Sequence, residues 1–179
     1  MRILVTGGTG HLGRSIVALL KQQHHQVRIL ARRPGPPDGL EWAKGDLSTG
    51  AGIQEADNGM DVVVHAATDS PSARRGSLRL TDLIRAPGAV DVDGTRWLLE
   101  ASRKSRVGHF VHISIVGLEH MKLLPYARVK LAAEDVVRRS GVAWSVLRAT
   151  TFYWLLDRML SNMVSPRGAI VPRDVRMQP

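Results

Sequence analysis

An α/β fold with a doubly wound parallel sheet and helices on both faces is what this sequence predicts, and three stretches carry the prediction. Ile3, Leu4 and Val5 form a short unbroken apolar run, as expected of a strand covered on both faces. The run stops at Thr6-Gly7-Gly8-Thr9-Gly10-His11-Leu12-Gly13, after which Leu12, Ile16, Leu19 and Leu20 recur at the spacing of one helical face. Gln26 to Ala31 then reads as a second strand, so strand, glycine turn, helix and strand all fall between Met1 and Pro34.

The turn itself points to a ligand. Two glycine registers overlap in it, Gly8-x-Gly10-x-x-Gly13 and Gly7-x-x-Gly10-x-x-Gly13. Glycine is required where the backbone must approach a pyrophosphate closely and where the helix must pack against the strand, and the free N–H groups of the helix start then face the phosphates. Thr9, His11 and Leu12 fill the remaining positions of this loop. Because a strand precedes the turn and a helix and strand follow it, the pattern reads as a dinucleotide site.

The second strand ends at Arg32-Arg33-Pro34, and Arg32 stands nineteen residues after Gly13. Sites for NAD usually carry Asp or Glu near this point to hold the ribose hydroxyls; two guanidiniums suit the 2′-phosphate of NADP instead, with NAD the weaker expectation. A solvent-facing charged strand end is the alternative. Pro34 to Gly39 reads as a turn and Leu40 to Lys44 as a third strand, closing on Gly45-Asp46-Leu47. Asp46 there suits either the adenine amino group or a turn cap.

Asp61 to Ala67 reads as the fourth strand, ending on the small Ala66 and Ala67, which leave room for a cofactor to cross the strand tips. His65 within it reads as a core or strand-end residue rather than a base. From Asp69 to Ala89 the pattern dissolves into Ser, Pro, Gly and Arg, including Arg74, Arg75, Arg79 and Arg85, and such a connection is either functional or disordered. Val90 to Thr95 opens a helix through about Arg103 with Leu98, Leu99 and Ala101 inward; Phe110 to Ser114 is the fifth strand and Ile115 to Leu124 a loop. A helix from Tyr126 to Ser140, a strand from Trp144 to Leu147, a helix from Tyr153 to Met163 and a short strand from Ala169 to Val171 complete the chain.

The glycine loop, Val90 to Thr95, His112-Ile113-Ser114-Ile115-Val116-Gly117, Tyr126 to Glu134 and Leu147-Arg148-Ala149-Thr150 together resemble the extended and atypical short-chain dehydrogenase/reductase superfamily, nearest its NmrA-like branch. The resemblance implies a Rossmann-type sheet, NADP(H) across the strand tips touching also Leu47, Lys130, Ala149 and Thr150, and a small carbonyl or quinone-type substrate. It further implies that Tyr126 transfers a proton, that Lys130 holds the nicotinamide ribose and lowers the Tyr126 pKa, and that Ser114 orients the carbonyl. Tyr126 and Lys130 lie four apart, so a helix puts them on one face. Two positions depart from the pattern: Ile115 stands where a second hydroxyl is usual, and Asp91 where Asn is common. The first departure favours an alternative, an NADP(H)-binding sensor without turnover that acts as a homodimer or through a regulated protein partner.

At 179 residues the chain reads as a single domain, with 164–179 the start of a substrate lobe that looks truncated. It has no Cys, which removes disulfides, thiolate catalysis and Cys-ligated metal, and fits a cytoplasmic protein. No apolar run approaches the length of a membrane span and no signal peptide opens the chain. The net charge of +9 is dispersed without a recognisable motif, so no nucleic-acid partner is expected.

Overall fold

The computed structural model describes residues 1–33, 35–36, 39–70, 88–165 and 168–169. In chain order its elements are β1 (Arg2–Thr6), α1 (His11–Gln22), β2 (Gln26–Ala31), β3 (Glu41–Lys44), α2 (Ile53–Asp57) and β4 (Val62–His65). A π-helical turn (Ala89–Asp93) leads into α3 (Gly94–Lys104), followed by β5 (His109–Ile115), a 3-10 turn (Leu118–Met121), α4 (Pro125–Arg138), β6 (Trp144–Ala149) and α5 (Tyr153–Met163). The short strands β7 (Val164–Ser165) and β8 (Gly168–Ala169) form an antiparallel pair of their own.

The six longer strands make one parallel sheet in the order β3-β2-β1-β4-β5-β6. The winding direction reverses between β1 and β4, and in open sheets of this kind a ligand lies in the crevice beyond the strand tips at that reversal. Strand parity divides the core in two. Ile3, Val5, Val27 and Ile29 face α1 and pack on Val17. Leu4, Leu30, Val63 and Phe110 face the opposite side, against Ile53 of α2, Leu98 and Leu99 of α3 and Val137 of α4.

The predicted fold class and element order hold, with four local differences. The buried residues of α1 are Gly13 and Val17, not the leucines, and Leu19 is 59% exposed. The reason is Gly13, which lets that side of the helix lie directly on the glycine turn. Strand β6 runs on to Ala149, because Ser114 and Ile115 pair with Arg148 and Ala149. Helix α2 was not expected, since five residues are too few for a periodicity to register. Within the predicted loop after Ile115, Leu118 is fully buried and anchors the 3-10 turn. Arg74, Arg75, Arg79 and Arg85, and the chain from Ile170 onward, lie outside the described residues.

One core carboxyl is poorly served. Asp57 is fully buried; Ser102 donates to its Oδ1 at 3.3 Å, and Oδ2 has no hydrogen-bond partner among the described residues. Burial pushes its pKa up to about 6, against a smaller lowering by serine hydroxyls and Arg28. A carboxyl whose folded pKa is raised costs stability above that pKa. Asp57→Asn is therefore expected to stabilise the fold by about 1 to 3 kcal/mol at pH 7. Urea denaturation at pH 7 and pH 5 checks this, since the gain must shrink at the lower pH, where Asp57 is already protonated in the fold.

Candidate functional site

The glycine turn is shaped by what it touches. Gly7 has φ +73, and a Cβ there would lie 2.7 Å from the Ala67 nitrogen and 2.8 Å from the Ala66 carbonyl carbon. At Gly13 a Cβ would lie 2.0 Å from the Gly7 oxygen. The turn, the start of α1 and the tip of β4 are therefore in direct backbone contact, which brings Gly7, Gly10, Gly13, Ala66 and Ala67 together as expected. The Gly10 N–H closes the turn on the Gly7 oxygen at 2.9 Å. Helix α1 begins at Gly10 with no side-chain cap and no acidic residue in its first turn. That leaves its N-terminal N–H groups and partial positive charge for an anion, and the cradle fits a pyrophosphate.

Around the cradle, Thr9 and His11 are exposed and Leu12 is half-buried. The His11 ring stacks on Trp154 of α5 with centroids 4.4 Å apart and planes at 14°, and Phe152 lies parallel to Trp154 at 6.4 Å. This aromatic run at the mouth of the crevice went unread in the sequence, although Phe152, Tyr153 and Trp154 cluster there in a chain poor in aromatics. Arg32 and Arg33 are exposed just past the tip of β2. Asp46 takes the turn-cap role: its Oδ1 accepts from the Ser48 N–H at 2.8 Å and the Ser48 hydroxyl at 2.7 Å. Those bonds, with the charge of Arg32 behind them, hold its carboxyl below the usual range. Leu47 packs its side chain into the core, and a Cβ on Gly94 would lie 2.7 Å from its oxygen, so α3 begins hard against this turn. Ala149 and Thr150 are half-buried at the tip of β6.

On α4, Tyr126 and Lys130 share one face as predicted, but their partners differ from expectation. The Tyr126 hydroxyl lies 3.2 Å from Thr68 Oγ1, which donates to Asp91 Oδ1 at 2.7 Å. The buried Lys130 ammonium donates to the same Asp91 oxygen at 3.3 Å and to the Ile113 carbonyl at 3.2 Å. Asp91, 1% exposed, also accepts from the Asp69 N–H at 2.9 Å through Oδ2. The expected lowering of the Tyr126 pKa by Lys130 is therefore corrected. Burial pushes the phenol up, the Thr68 hydroxyl pulls it down, and Asp91 pushes it up again. Lys130 spends its ammonium on Asp91 and the Ile113 carbonyl instead.

Ser114 requires a second correction. Its hydroxyl is buried and donates to Glu134 Oε1 at 2.5 Å, on the side of the sheet that faces α4. Glu134, also fully buried, accepts from Arg148 Nε and Nη2 at 2.9 and 2.7 Å and from Arg138 at 2.5 Å, while Arg148 reaches on to Glu119. Burial alone would raise the Glu134 pKa, but the Arg148 and Ser114 hydrogen bonds and the two guanidinium charges bring it down to about 2. Ser114 thus braces α4 against β5 and β6, its hydroxyl proton given to Glu134. Glu134 follows Tyr126 and Lys130 at the same four-residue spacing, and that acid on an inward face was the signal that could have revealed the brace.

Behind the Tyr126 cluster, β4 and β5 place two histidines side by side, with His65 paired to His112 in register and ring centroids 5.3 Å apart. The Thr95 hydroxyl donates to the Asp91 carbonyl at 2.5 Å, so it accepts from His65 Nε2–H at 2.9 Å, and His65 Nδ1 accepts from the Thr6 hydroxyl at 2.6 Å. His65 is the core residue it was read to be. Burial, helped by the Lys130 charge, lowers its pKa to about 3. His112 is buried with both ring nitrogens unpartnered among the described residues, and burial lowers its pKa to about 2.

Comparison with known proteins agrees with the cradle. The model of a family described as NAD(P)H-binding matches residues 7–157. The chain is similar to the photosystem II assembly factor Ycf39 of Cyanophora paradoxa, 29% identical over 86% of this chain and 46% of that protein. It is similar also to the ceramide reductase of Caulobacter vibrioides, 30% identical over 84% of this chain and 46% of the relative. A short-chain dehydrogenase/reductase superfamily protein from Agrobacterium tumefaciens with bound NAD superposes with a TM-score of 0.68 at 32% identity, covering 84% of this chain and 49% of that one. The chain spans about half the length of the curated relatives it matches. Among the described residues no helix is long and apolar enough to cross a membrane. With its glycine cradle at the reversal of the sheet and a family model matched across most of its length, this chain belongs to the NAD(P)H-binding family of the short-chain dehydrogenase/reductase superfamily.

Proposed function

We propose that the protein is an NADP(H)-dependent oxidoreductase acting on a small molecule of the carbonyl or quinone type, with Tyr126 as its proton-transfer group. The observation that carries this reading is the half-buried Tyr126 hydroxyl, held by hydrogen bonding on the helix face it shares with Lys130. The glycine cradle, Ala66 and Ala67 would hold the pyrophosphate, and Arg32 and Arg33 are the groups available to a 2′-phosphate. The cofactor supplies or accepts hydride when bound. The chain itself supplies orientation through Lys130 and a proton at the Tyr126 oxygen. Membership in an oxidoreductase superfamily and the similarity to a ceramide reductase support the reading.

Calorimetric titration with NADPH and NADH, followed by turnover with a panel of quinones, aldehydes and ketones, tests it. NADPH is expected to bind about ten- to a hundredfold more tightly, with the preference lost in Arg32→Ala. Tyr126→Phe is expected to cut turnover by about a hundred- to ten thousandfold at unchanged cofactor affinity. Equal affinities defeat the cofactor assignment, and turnover indifferent to Tyr126→Phe defeats the mechanism. A second reading, a cofactor-dependent regulator working as a homodimer or through a protein partner, is favoured by Ile115 and by Ser114 turning away to Glu134. Cofactor binding with no turnover across the panel selects it.

A further inference from the structure

We propose that the loop Val116–Leu124, between the tip of β5 and the start of α4, is a membrane-docking lip that seats its apolar side chains in the headgroup layer of a bilayer containing anionic lipid. Its ground is a cluster of apolar side chains turned outward. Of the ten large apolar residues exposed among the described residues, Val116, Met121, Leu123 and Leu124 fall within this one loop, and Leu123 is 93% exposed. Apolar side chains scattered singly over a surface are ordinary, whereas a group of them marks a contact. The exposure is not looseness. Leu118 is buried beneath the loop, the Val116 N–H donates to the Ala149 oxygen at 3.0 Å, the Leu124 N–H donates to the Met121 oxygen at 2.9 Å, and Arg148 holds Glu119 from the end of β6. Gly117, at φ +79, makes the bend between the exposed Val116 and the buried Leu118.

Charge and shape name the occupant. Between Val116 and Arg128 the chain carries one carboxylate, Glu119, and Arg148 takes it. Lys122 stands beside Leu123, and Arg128 follows Leu124 by one helical turn, its backbone N–H donating to the Leu124 oxygen at 3.2 Å. Both cations are exposed and form no ion pair among the described residues. Apolar tips flanked by free cations fit the surface of an anionic bilayer, where the apolar groups sink toward the acyl chains and the cations meet the headgroup charges. The net charge of +9 adds attraction from a distance. A leucine so exposed stands on a convex tip, which enters a soft surface, whereas a small ligand needs a hollow. Contact of this kind asks for no spanning helix. Because Tyr126 follows Leu124 by two residues, docking sets the start of α4 against the bilayer, but the proposal stands independently of the oxidoreductase reading.

Co-sedimentation with vesicles of phosphatidylcholine, alone or mixed with phosphatidylserine, tests it. The protein is expected to pellet with the mixed vesicles at physiological salt and not with phosphatidylcholine alone. Leu123→Ser is expected to weaken binding about tenfold or more, and Lys122→Gln or Arg128→Gln by about fivefold each. Leu19→Ser, at an exposed leucine of α1, is expected to leave binding unchanged. The chain has no Cys, so Leu123→Cys takes a single environment-sensitive fluorophore, whose emission is expected to shift to the blue on mixed vesicles while the same label at Leu19→Cys does not. Failure to pellet with the mixed vesicles overturns the proposal, and equal binding to both vesicles overturns the role given to the cations. Binding that Leu123→Ser leaves intact, or a label at position 123 that stays in water on the bound protein, overturns the lip as the docking element. A dimer that forms without lipid and is lost in Leu123→Ser also overturns it, assigning the lip to a second copy of this chain.

Discussion

Replacing Glu134 by alanine is expected to remove about 3 to 5 kcal/mol of stability, the range found when one partner of a buried ion pair is deleted. The carboxylate is fully buried and gathers Ser114, Arg138 and a two-point contact from Arg148, so its loss leaves the buried Ser114 hydroxyl without its acceptor and Arg148 with Glu119 alone. Domains of this size hold together by only about 5 to 15 kcal/mol, so the variant is near the limit of folding. Glu134→Gln keeps one acceptor oxygen and is expected to fall between wild type and alanine. The effect should reach the site, because Ser114 follows Ile113, whose carbonyl holds Lys130. Urea denaturation of the three proteins measures it, and a loss below about 1 kcal/mol in the alanine variant would show that the cluster is in effect solvated.

Acid lability is the second large effect. His65 and His112 are held neutral, with pKa values of about 3 and about 2 against an ordinary 6.5. Below pH 6.5 the unfolded chain takes up two protons that the fold refuses, so stability falls with pH by about 1.4 kcal/mol per unit for each ring. Asp57, with its pKa raised to about 6, acts in the opposite sense between about pH 6 and pH 4, because there the fold keeps a proton that the unfolded chain has released. From these three groups the net slope is about 1.4 kcal/mol per pH unit in that window, and about 2.7 in Asp57→Asn. His112→Leu is the informative variant. Its ring nitrogens have no partners among the described residues, so the substitution should be neutral or stabilising at pH 7 while removing one histidine from the slope. Denaturant midpoints from pH 7 to pH 4 measure both, and an unchanged slope in His112→Leu would mean that this ring protonates freely in the fold.

What could be read in the sequence was what depends on near neighbours. The glycine turn, the first helix and the second strand are a local pattern, and the steric contacts of Gly7 and Gly13 are the reason the pattern exists. Tyr126 and Lys130 on one face followed from helical spacing alone. Their partners did not, because Thr68 and Asp91 come from other elements, 58 and 39 residues away. Ser114 was half legible. It shares strand parity with Phe110 and His112, both buried beneath the helices, and that parity already turned it away from Ile113 and Ile115. Parity speaks for the brace, whereas the carbonyl role came from family position alone. Asp46 shows a local alternative winning, since a serine two residues on offers both an amide and a hydroxyl at no cost in chain closure.

The order of the sheet also bears on how the protein comes into being during synthesis. Strand β1 is the first to leave the ribosome and ends between β2 and β4, with β3 beyond β2 and with β5 and β6 beyond β4. Each strand therefore joins at a free edge of what has already been made, and none has to be threaded between two that are already paired. The dinucleotide cradle is complete once Ala67 has emerged, because the turn after β1 finds its last contact at the tip of β4. A nascent chain of this kind therefore carries all the residues of its phosphate-binding turn well before the helix that bears Tyr126 has been made.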